Sequence, residues 1–574
     1  MCGISGFNFK DENLLGKMMD EQWHRGPDQS GTFFDNSVSL GHNRLSIIDL
    51  SEKAKQPMVS DDGNYKIIFN GEIYNFKELR KKLEKKYKFF SDSDTEVVLR
   101  GYEEYGDKIF GMLDGMWALA IYDKQRNELV LSRDYAGIKP LYYYWNDGKF
   151  VFASELAAIK KLNIPLTVNK EIFTAVLSFG FVPAPYSLYK EVSKVLPGEI
   201  LKLDLDKKIL NKSGIELSPL EGINNDKEII EKAEEILAES AERHLIADVE
   251  VGLFLSGGND SSLLAAILKE NGRKIPAFCL EIEGRKDAEY ARKVAERLDL
   301  KLYTHKVTVK DFREVYDKIF SGLKEPLADT AIFSSYLISR FAREKVKVVL
   351  SGEGGDELFG GYFTHRHLAD LKNPKWPESN FVDKIFSRFP DFKGKKTLLD
   401  FIYKLQSDAL GLYLNNLSTA YLYDTAAQRK FFHKLKNIRP FYYDLNSYLP
   451  DRLLYKLDYS AMAFSLEGRV PFLDKEMIRF SLNENVRKFS EKNKNKFILK
   501  SLLKKYLPEE IVNRPKEGFS VPLAEYFEKM PEFQNDYQKA LRWAESNVGL
   551  PISKIKNAAG KTKFNLVALY KSLA

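Results

Sequence analysis

A chain of 574 residues is too long for one ordinary hydrophobic core and predicts two domains with room for a helical extension. Its formal charge of +7, from 88 basic against 81 acidic residues, is a small excess for this size, so neither nucleic-acid nor membrane binding is required. The only cysteines, Cys2 and Cys279, exclude a disulfide framework, and no apolar run reaches the length of a membrane span. Asp11 and Glu12 stand where a secretory signal would be basic and then apolar, so a cytoplasmic protein is expected.

The chain opens Met1-Cys2-Gly3-Ile4-Ser5-Gly6-Phe7. A small second residue permits removal of the initiator methionine, which leaves Cys2 with both a thiol and a free α-amino group. An α-amine titrates near ~7.7–8.0 and can serve as base for the thiol beside it. Taken alone, a cysteine here is more simply a small buried hydrophobe. Farther on, His24-Arg25-Gly26-Pro27-Asp28 and Gly41-His42-Asn43-Arg44-Leu45-Ser46-Ile47-Ile48-Asp49 set charged groups beside turn residues or at a strand end. Ile67 to Asn75 runs from a strand into a polar turn, where the Asn70 amide and the Gly71 N–H can together make an oxyanion hole. Lys81-Lys82-Leu83-Glu84-Lys85-Lys86 reads as a solvated helix face, and Ser93-Asp94-Thr95-Glu96 as the cap of a helix carrying Val97, Val98 and Tyr102.

Singly, each of these is a turn, a cap or an ion pair. Together, and with Met116-Trp117-Ala118-Leu119-Ala120, Arg133-Asp134-Tyr135-Ala136-Gly137-Ile138-Lys139-Pro140 and Ala153-Ser154-Glu155, the amino-terminal part resembles the class II glutamine amidotransferases. The resemblance implies an Ntn-type αββα sandwich over residues 1–207, and the alternation in Glu128-Leu129-Val130-Leu131-Ser132 suits its strands. It further implies that Cys2 attacks the side-chain amide of glutamine and that Asn70 and Gly71 stabilise the oxyanion. Arg44 would hold the α-carboxylate of glutamine, and Asp94 with Glu72 its α-ammonium. The residue types suit these roles, since arginine binds a carboxylate in a planar fork and a cysteine thioester can be hydrolysed to release ammonia.

Turns follow at Pro183-Ala184-Pro185 and Leu196-Pro197-Gly198, and a polar stretch predicts a linker over 208–224 before a second domain at 225–574. A helix through Ile229, Ala233, Ile236 and Leu237 leads to Leu253-Phe254-Leu255-Ser256-Gly257-Gly258-Asn259-Asp260-Ser261-Ser262, which reads as strand, tight loop and helix. Two glycines let backbone N–H groups approach an anion, and the new helix adds its N-terminal dipole. The Walker lysine is missing, so this is not a γ-phosphate cradle of kinase type. The strand Ile275–Leu280, helix Ala288–Leu298, strand Leu302–Val307, a helix around Phe333–Leu337 and the strand Val346–Leu350 then alternate, which predicts a parallel sheet with ligands at its carboxyl ends. Cys279, mid-strand, is expected to be core packing. The last strand empties into Ser351-Gly352-Glu353-Gly354-Gly355-Asp356-Glu357-Leu358-Phe359-Gly360-Gly361-Tyr362, material for a flexible loop over a phosphate with Mg2+ bridging it.

Paired with the earlier loop, this motif resembles the ATP pyrophosphatase domain of asparagine synthetases and their β-lactam synthetase relatives, over most of residues 230–525. The resemblance implies that Ser256, Gly257, Gly258 and Ser261 hold the pyrophosphate end of ATP and that Leu255, Ser351 and Gly352 line the nucleotide. Asp260 and Asp356 would bind Mg2+, Glu353 would contact ammonia or the acceptor and help remove a proton, and Lys496 would stabilise charge on pyrophosphate. Glu467-Gly468-Arg469-Val470-Pro471-Phe472-Leu473-Asp474, Lys496-Phe497-Ile498-Leu499-Lys500 and Arg514-Pro515-Lys516-Glu517-Gly518-Phe519 also match. Two departures stand out. Asn259 replaces an aliphatic residue, and Leu327-Ala328-Asp329-Thr330-Ala331-Ile332-Phe333 lacks the arginine that many relatives place there for the acceptor's α-carboxylate, so another cation must serve or the acceptor is not aspartate. Residues 363–450 and the tail after Pro522 are expected to be helical packing around the acceptor side.

The expected function is glutamine-dependent asparagine synthesis. Glutamine, aspartate and ATP are the substrates, Mg2+ accompanies ATP, no nucleic acid or membrane is involved, and a homodimer is one open expectation. Two rivals stay open: an amidotransferase of this build acting on a sugar acid or peptide carboxylate, and a non-catalytic binding or storage protein.

Overall fold

In the computed structural model, residues 1–214 form two six-stranded antiparallel sheets laid face to face. The structure describes residues 1–162, 164–362, 365, 410, 413–414, 417, 429–493, 495–514, 526–527, 529–548 and 560–573. In chain order the first part comprises β1 (Gly3–Phe7), α1 (Glu12–Glu21), β2 (Gln29–Phe34), β3 (Ser39–Arg44), β4 (Met58–Val59), β5 (Tyr65–Ile73), α2 (Phe76–Leu83), α3 (Asp94–Tyr105), α4 (Lys108–Met112), β6 (Gly115–Asp123) and β7 (Glu128–Arg133). There follow β8 (Tyr142–Asn146), β9 (Lys149–Ala153), α5 (Leu156–Ile159), α6 (Phe173–Phe179), β10 (Val192–Lys194), β11 (Glu199–Asp204) and β12 (Ile209–Gly214).

One sheet has the order β10-β8-β9-β1-β3-β2 and the other β12-β11-β7-β6-β5-β4. Side chains alternate across β5. Ile68 points between the sheets with Ile4, Leu40 and Phe152, while Ile67 and Phe69 point outward under Val97 and Val98 of α3. The outer face of the first sheet, through Phe7 and Val151, meets Leu15 and Met18 of α1 and Ile159 of α5. Helices therefore cover both outer faces, the expected αββα arrangement. Ser93 caps α3 by accepting from Glu96 N–H, as its sequence predicts. In α2, Leu79 and Leu83 are buried while Lys81 and Lys82 face solvent.

β12 lies within the stretch expected to be a linker, pairing with β11 along its whole length. Its polarity is that of an exposed edge strand, which sequence alone does not distinguish from a linker.

The second part carries α7 (Asp226–Arg243), β13 (Val251–Phe254), α8 (Asn259–Glu270), β14 (Ala277–Ile282), α9 (Asp287–Arg297), β15 (Leu302–Val307), α10 (Val309–Gly322), α11 (Ala331–Arg343), β16 (Val348–Leu350), α12 (Gly355–Phe359) and β17 (Glu467–Arg469). These strands form a parallel sheet in the order β15-β14-β13-β16-β17. Both faces are buried: along β14, Ala277 and Cys279 enter one apolar cluster and Phe278 and Leu280 the other. Cys279 is thus core packing. α10 and β17 escape the sequence reading. α10 opens on a Thr308–Asp311 capping box, and the three residues of β17 are too few for a periodic signal.

Later helices include Tyr455–Met462, Phe497–Leu503, Pro531–Asn547 and Gly560–Leu573, the last two in the tail expected to be helical. The parts of 363–450 not named above, and Pro515 to Phe519, lie outside the described residues. Among the described residues no helix is long and apolar enough to cross a membrane.

Candidate active sites

The strand β1 begins one residue after Cys2, so the thiol sits at the end of the first sheet, where Asn70 of β5 reaches it from the second. Cys2 N–H donates to Asn70 Oδ1 at 2.9 Å. That bond fixes the amide, and Asn70 Nδ2 is buried with no partner among the described residues, a donor available beside the thiol. Gly71 lies opposite Trp117, and a Cβ there would fall 2.0 Å from Met116 O, so only glycine fits the ladder. Burial raises the Cys2 thiol above its ordinary range, against the terminal ammonium, a backbone hydrogen bond from Leu45 and the Arg44 charge, which lower it.

Arg44, the last residue of β3, is buried and held by the 48–51 loop. It donates to Gln29 Oε1 at 2.7 Å, to Ile48 O and Ser51 O at 3.1 Å each, and to Asp49 O at 2.5 Å. Asp94 accepts from Ile73 N–H at 2.9 Å and Thr95 N–H at 2.8 Å, yet burial pushes its carboxyl up to about 6. Glu72 is driven well above the carboxylate range by burial, then by Glu467 and Asp94. Two buried acids this short of compensation suit an ammonium ligand. The structure therefore brings Cys2, Arg44, Asn70, Gly71, Glu72 and Asp94 to one end of the sandwich.

Sequence reasoning assigned no part here to Glu467 and Arg469, more than 370 residues away along the chain. Arg469 lies 3.6 Å from Glu72, donates to Glu467 Oε1 at 2.6 Å and to His244 O and Ile246 O at 2.8 and 2.7 Å. Met1 is buried, its ammonium 3.1 Å from Glu467. Arg25 donates from Nε to Cys2 O at 3.0 Å and pairs with Glu155 at 2.8 Å and Asp458 at 2.9 Å.

The second site follows from topology. Strand order reverses between β13 and β16, and the crevice at the carboxyl ends of such a pair is where open α/β sheets bind ligands. The loop after β13 turns through Gly257 at φ +65°, where a Cβ would meet Ala291 N at 2.6 Å. Ser256 Oγ lies 3.2 Å from Ser261 Oγ and accepts from Gly258 N–H at 3.2 Å. Leu255, Ser256, Gly258, Ser261, Ser351 and Gly352 line one cavity of about 950 Å3. The two glycine-rich loops face each other there: a Cβ on Gly352 would be 3.0 Å from Asp260 Cβ, and one on Gly355 2.9 Å from Asp260 Cγ. Asn259, at the cavity wall, donates from Nδ2 to Val512 O at 3.2 Å.

Lys496 Nζ bridges Asp260 at 2.5 Å and Asp356 at 2.7 Å. Burial lowers its pKa, but these two carboxylates outweigh that and hold it above the ordinary lysine range. Glu353 accepts from Ser351 Oγ at 2.9 Å and faces Lys456 Nζ at 3.3 Å. Arg514 steadies the loop, donating to Asp287 at 2.9 Å. No group of three or more His, Cys, Asp or Glu suited to a metal occurs among the described residues. The segment 327–333 supplies Asp329, which meets Arg452 at 3.3 Å and Lys456 at 4.0 Å in the same cavity. No local sequence signal links these three residues.

Arg469 touches both sites. Arg469 O accepts from Ser351 N–H at 2.8 Å, while its side chain lies against Glu72.

Comparison with known proteins gives the same two parts. Residues 1–213 match the glutamine amidotransferase domain and residues 232–549 match asparagine synthase. Asparagine synthetase [glutamine-hydrolyzing] 1 of Bacillus subtilis (strain 168) is 32% identical over 557 residues, covering 91% of this chain and 87% of that protein. Asparagine synthetases 3 and 2 of the same organism are 28% and 29% identical, each over 90% of this chain and over 87% and 72% of their own lengths. With an amidotransferase part and a synthetase part both in place, the chain belongs to the glutamine-hydrolysing asparagine synthetase family.

Proposed function

We propose that the chain makes asparagine from aspartate, with ammonia taken from glutamine at Cys2 and ATP cleaved between its α- and β-phosphates. The observation that carries the joint reading is Arg469, whose side chain contacts the acid cluster by Cys2 and whose carbonyl holds the ATP-side loop.

Removal of Met1 frees the Cys2 amine, which takes the thiol proton as sulfur attacks the amide carbon of glutamine. Asn70 Nδ2 and the Gly71 N–H stabilise the oxyanion, Arg44 receives the α-carboxylate, and Glu72 with Asp94 the α-ammonium. The amine passes its proton to the departing ammonia, and water then hydrolyses the thioester to glutamate. In the synthetase part the β-carboxylate of aspartate attacks the α-phosphorus and pyrophosphate leaves toward Ser256, Gly257, Gly258 and Ser261, with Lys496 offsetting its charge. Leu255, Ser351 and Gly352 flank the nucleotide. Asp260 and Asp356 offer the hard oxygens that Mg2+ prefers, and the ion would neutralise phosphate charge there. Ammonia attacks the acyl-adenylate, Glu353 takes its surplus proton, and AMP leaves.

Ammonia in bulk water is protonated at neutral pH, so a sheltered passage along β17 would keep it reactive. We read the chain as units of 1–207 and 225–574 joined over 208–224, with β12 falling inside the joining stretch. The test is Cys2→Ala. Glutamine-driven synthesis should vanish while added ammonium still supports asparagine formation, and loss of both in a folded variant would contradict separate sites.

A further inference from the structure

The cavity leaves one recognition problem open. An acceptor amino acid brings an α-carboxylate, and the segment 327–333 offers it an aspartate instead of a cation. Four charged side chains crowd that end of the cavity: Asp329, Glu353, Arg452 and Lys456. Lys456 is committed to Glu353 at 3.3 Å. Arg452 is built differently. Its Nε meets Asp329 Oδ2 at 3.3 Å and its Nη1 donates at 3.0 Å to Phe179 O, the last residue of α6, where the helix dipole is negative. Its Cζ lies over the Tyr448 ring, 5.2 Å from the centroid. Nη2 makes no hydrogen bond among the described residues, and the side chain lines the cavity. With Nε and one N–H of Nη1 engaged, Nη2 and the second N–H of Nη1 remain, donors enough to receive a carboxylate by two N–H bonds.

The backing for this residue comes from the amidotransferase side. Ala328 N–H donates to Gly180 O at 2.6 Å, and Phe181 bridges Leu327 in antiparallel fashion, so 179–181 holds both Arg452 and the aspartate loop. Asp329 also accepts from Ala331 N–H at 3.0 Å at the start of α11. Its carboxylate stays ionised, because Arg452 and Lys456 outweigh its burial and hold it at about 2.

We propose that Arg452 receives the α-carboxylate of the acceptor amino acid and Asp329 its α-ammonium, which turns the side-chain carboxylate toward Glu353 and the nucleotide loops. Arg452 then sets acceptor specificity in place of the arginine missing from 327–333. The proposal rests on aspartate being the acceptor.

The test compares aspartate with β-alanine, which keeps the ammonium and the reacting carboxylate but lacks the α-carboxylate, by pyrophosphate release with ammonium as nitrogen source. Wild-type enzyme should favour aspartate by ~100-fold in kcat/KM, as expected for a lost charged bidentate contact. Arg452→Met should raise the KM for aspartate by ~30-fold, leave the KM for ATP within about twofold, and shrink the preference to about fivefold or less. Arg452→Lys keeps the charge without the fork and should raise the KM for aspartate by ~5-fold with the preference retained. It carries the test if Arg452→Met does not fold, and a KM unchanged in Arg452→Lys would then overturn the proposal. A preference that survives Arg452→Met in a folded enzyme overturns the proposal alone. Wild-type enzyme idle with aspartate but active with another acid overturns the functional reading and the proposal together.

Discussion

At the scale of single residues, the proposed hold of Asp94 on the α-ammonium of glutamine would tie that site to pH. Burial lifts its carboxyl to about 6 against the Ile73 and Thr95 N–H groups, with Glu467 adding to the rise and Arg469 opposing it. An acid that holds an ammonium must be ionised, and the incoming ammonium itself favours ionisation, so protonation competes with binding. The sign follows. As pH falls below about 6 the KM for glutamine should rise toward ~10-fold per unit, and in Asp94→Asn it should be high and flat over the same range. A wild-type KM constant between pH 7 and 5 would remove Asp94 from ammonium binding. Met1 sets a second expectation: while it remains, the Cys2 nitrogen is a peptide N–H spent on Asn70 and cannot act as base, so chain retaining Met1 should hydrolyse glutamine at ~1% or less of the processed rate. Edman or mass analysis of the N-terminus beside the activity decides it. The residues legible in sequence are those whose partners stand nearby in a motif, such as Asn70 with Gly71 or Ser256 with Ser261. Glu467, Arg469 and Arg452 were not, because the partners that place them, Met1, Glu72 and Asp329, lie far away along the chain and only the fold shows the pairing.

At the scale of elements, the glycines of the loop after β16 show how close the packing runs. A Cβ on Gly361 would lie 1.8 Å from Asp356 Oδ1 and 2.3 Å from Lys496 Cε. Lys496 cannot easily retreat, since it sits at φ +57° at the head of the helix Phe497–Leu503. Gly361→Ala should therefore part Lys496 from Asp356 and cut ammonium-driven synthesis by ~100-fold, with glutamine hydrolysis near wild type. Gly16, inside α1 with nothing within 4 Å of its Cβ position, is the control, and Gly16→Ala should leave both activities unchanged. Equal behaviour of the two variants would mean that the loop adjusts freely. The same scale explains what the sequence revealed of the fold. Most of the alternating strands and helices from α7 to β16 were readable, since β13, β14 and β16 are largely apolar runs bounded by turns; α10 was the exception. The edge elements were not: β12 is polar on its exposed side, and β17 owes its conformation to pairing with β16.

At the scale of the whole molecule, the two parts are joined by buried charge as much as by apolar contact. Arg25, fully buried, holds Cys2 O with one nitrogen and Asp458 with another, and Asp458 lies on the helix Tyr455–Met462 that also carries Lys456. Beside it, burial pushes Glu155 up, but His24 and Arg25 outweigh that and bring it down to about 2. Removing Arg25 would take from buried Asp458 its guanidinium partner and leave Glu155 to His24 alone, at a cost of about 3–5 kcal/mol, so Arg25→Met should be unstable and uninformative about coupling. Asp458→Asn is the sharper change. It keeps an oxygen able to accept from Arg25, leaves Arg25 paired with Glu155, and removes one charge from the link. If this link makes the amidotransferase part wait on the synthetase part, Asp458→Asn should hydrolyse glutamine with an unchanged KM yet release roughly twice as much glutamate or more per asparagine formed, through a coupling of only ~0.5–1 kcal/mol. Glutamate and asparagine counted in the same reaction measure it. A ratio equal to that of wild type, in a variant that folds, would leave Arg25 and Asp458 as a clasp between the parts with no share in their timing.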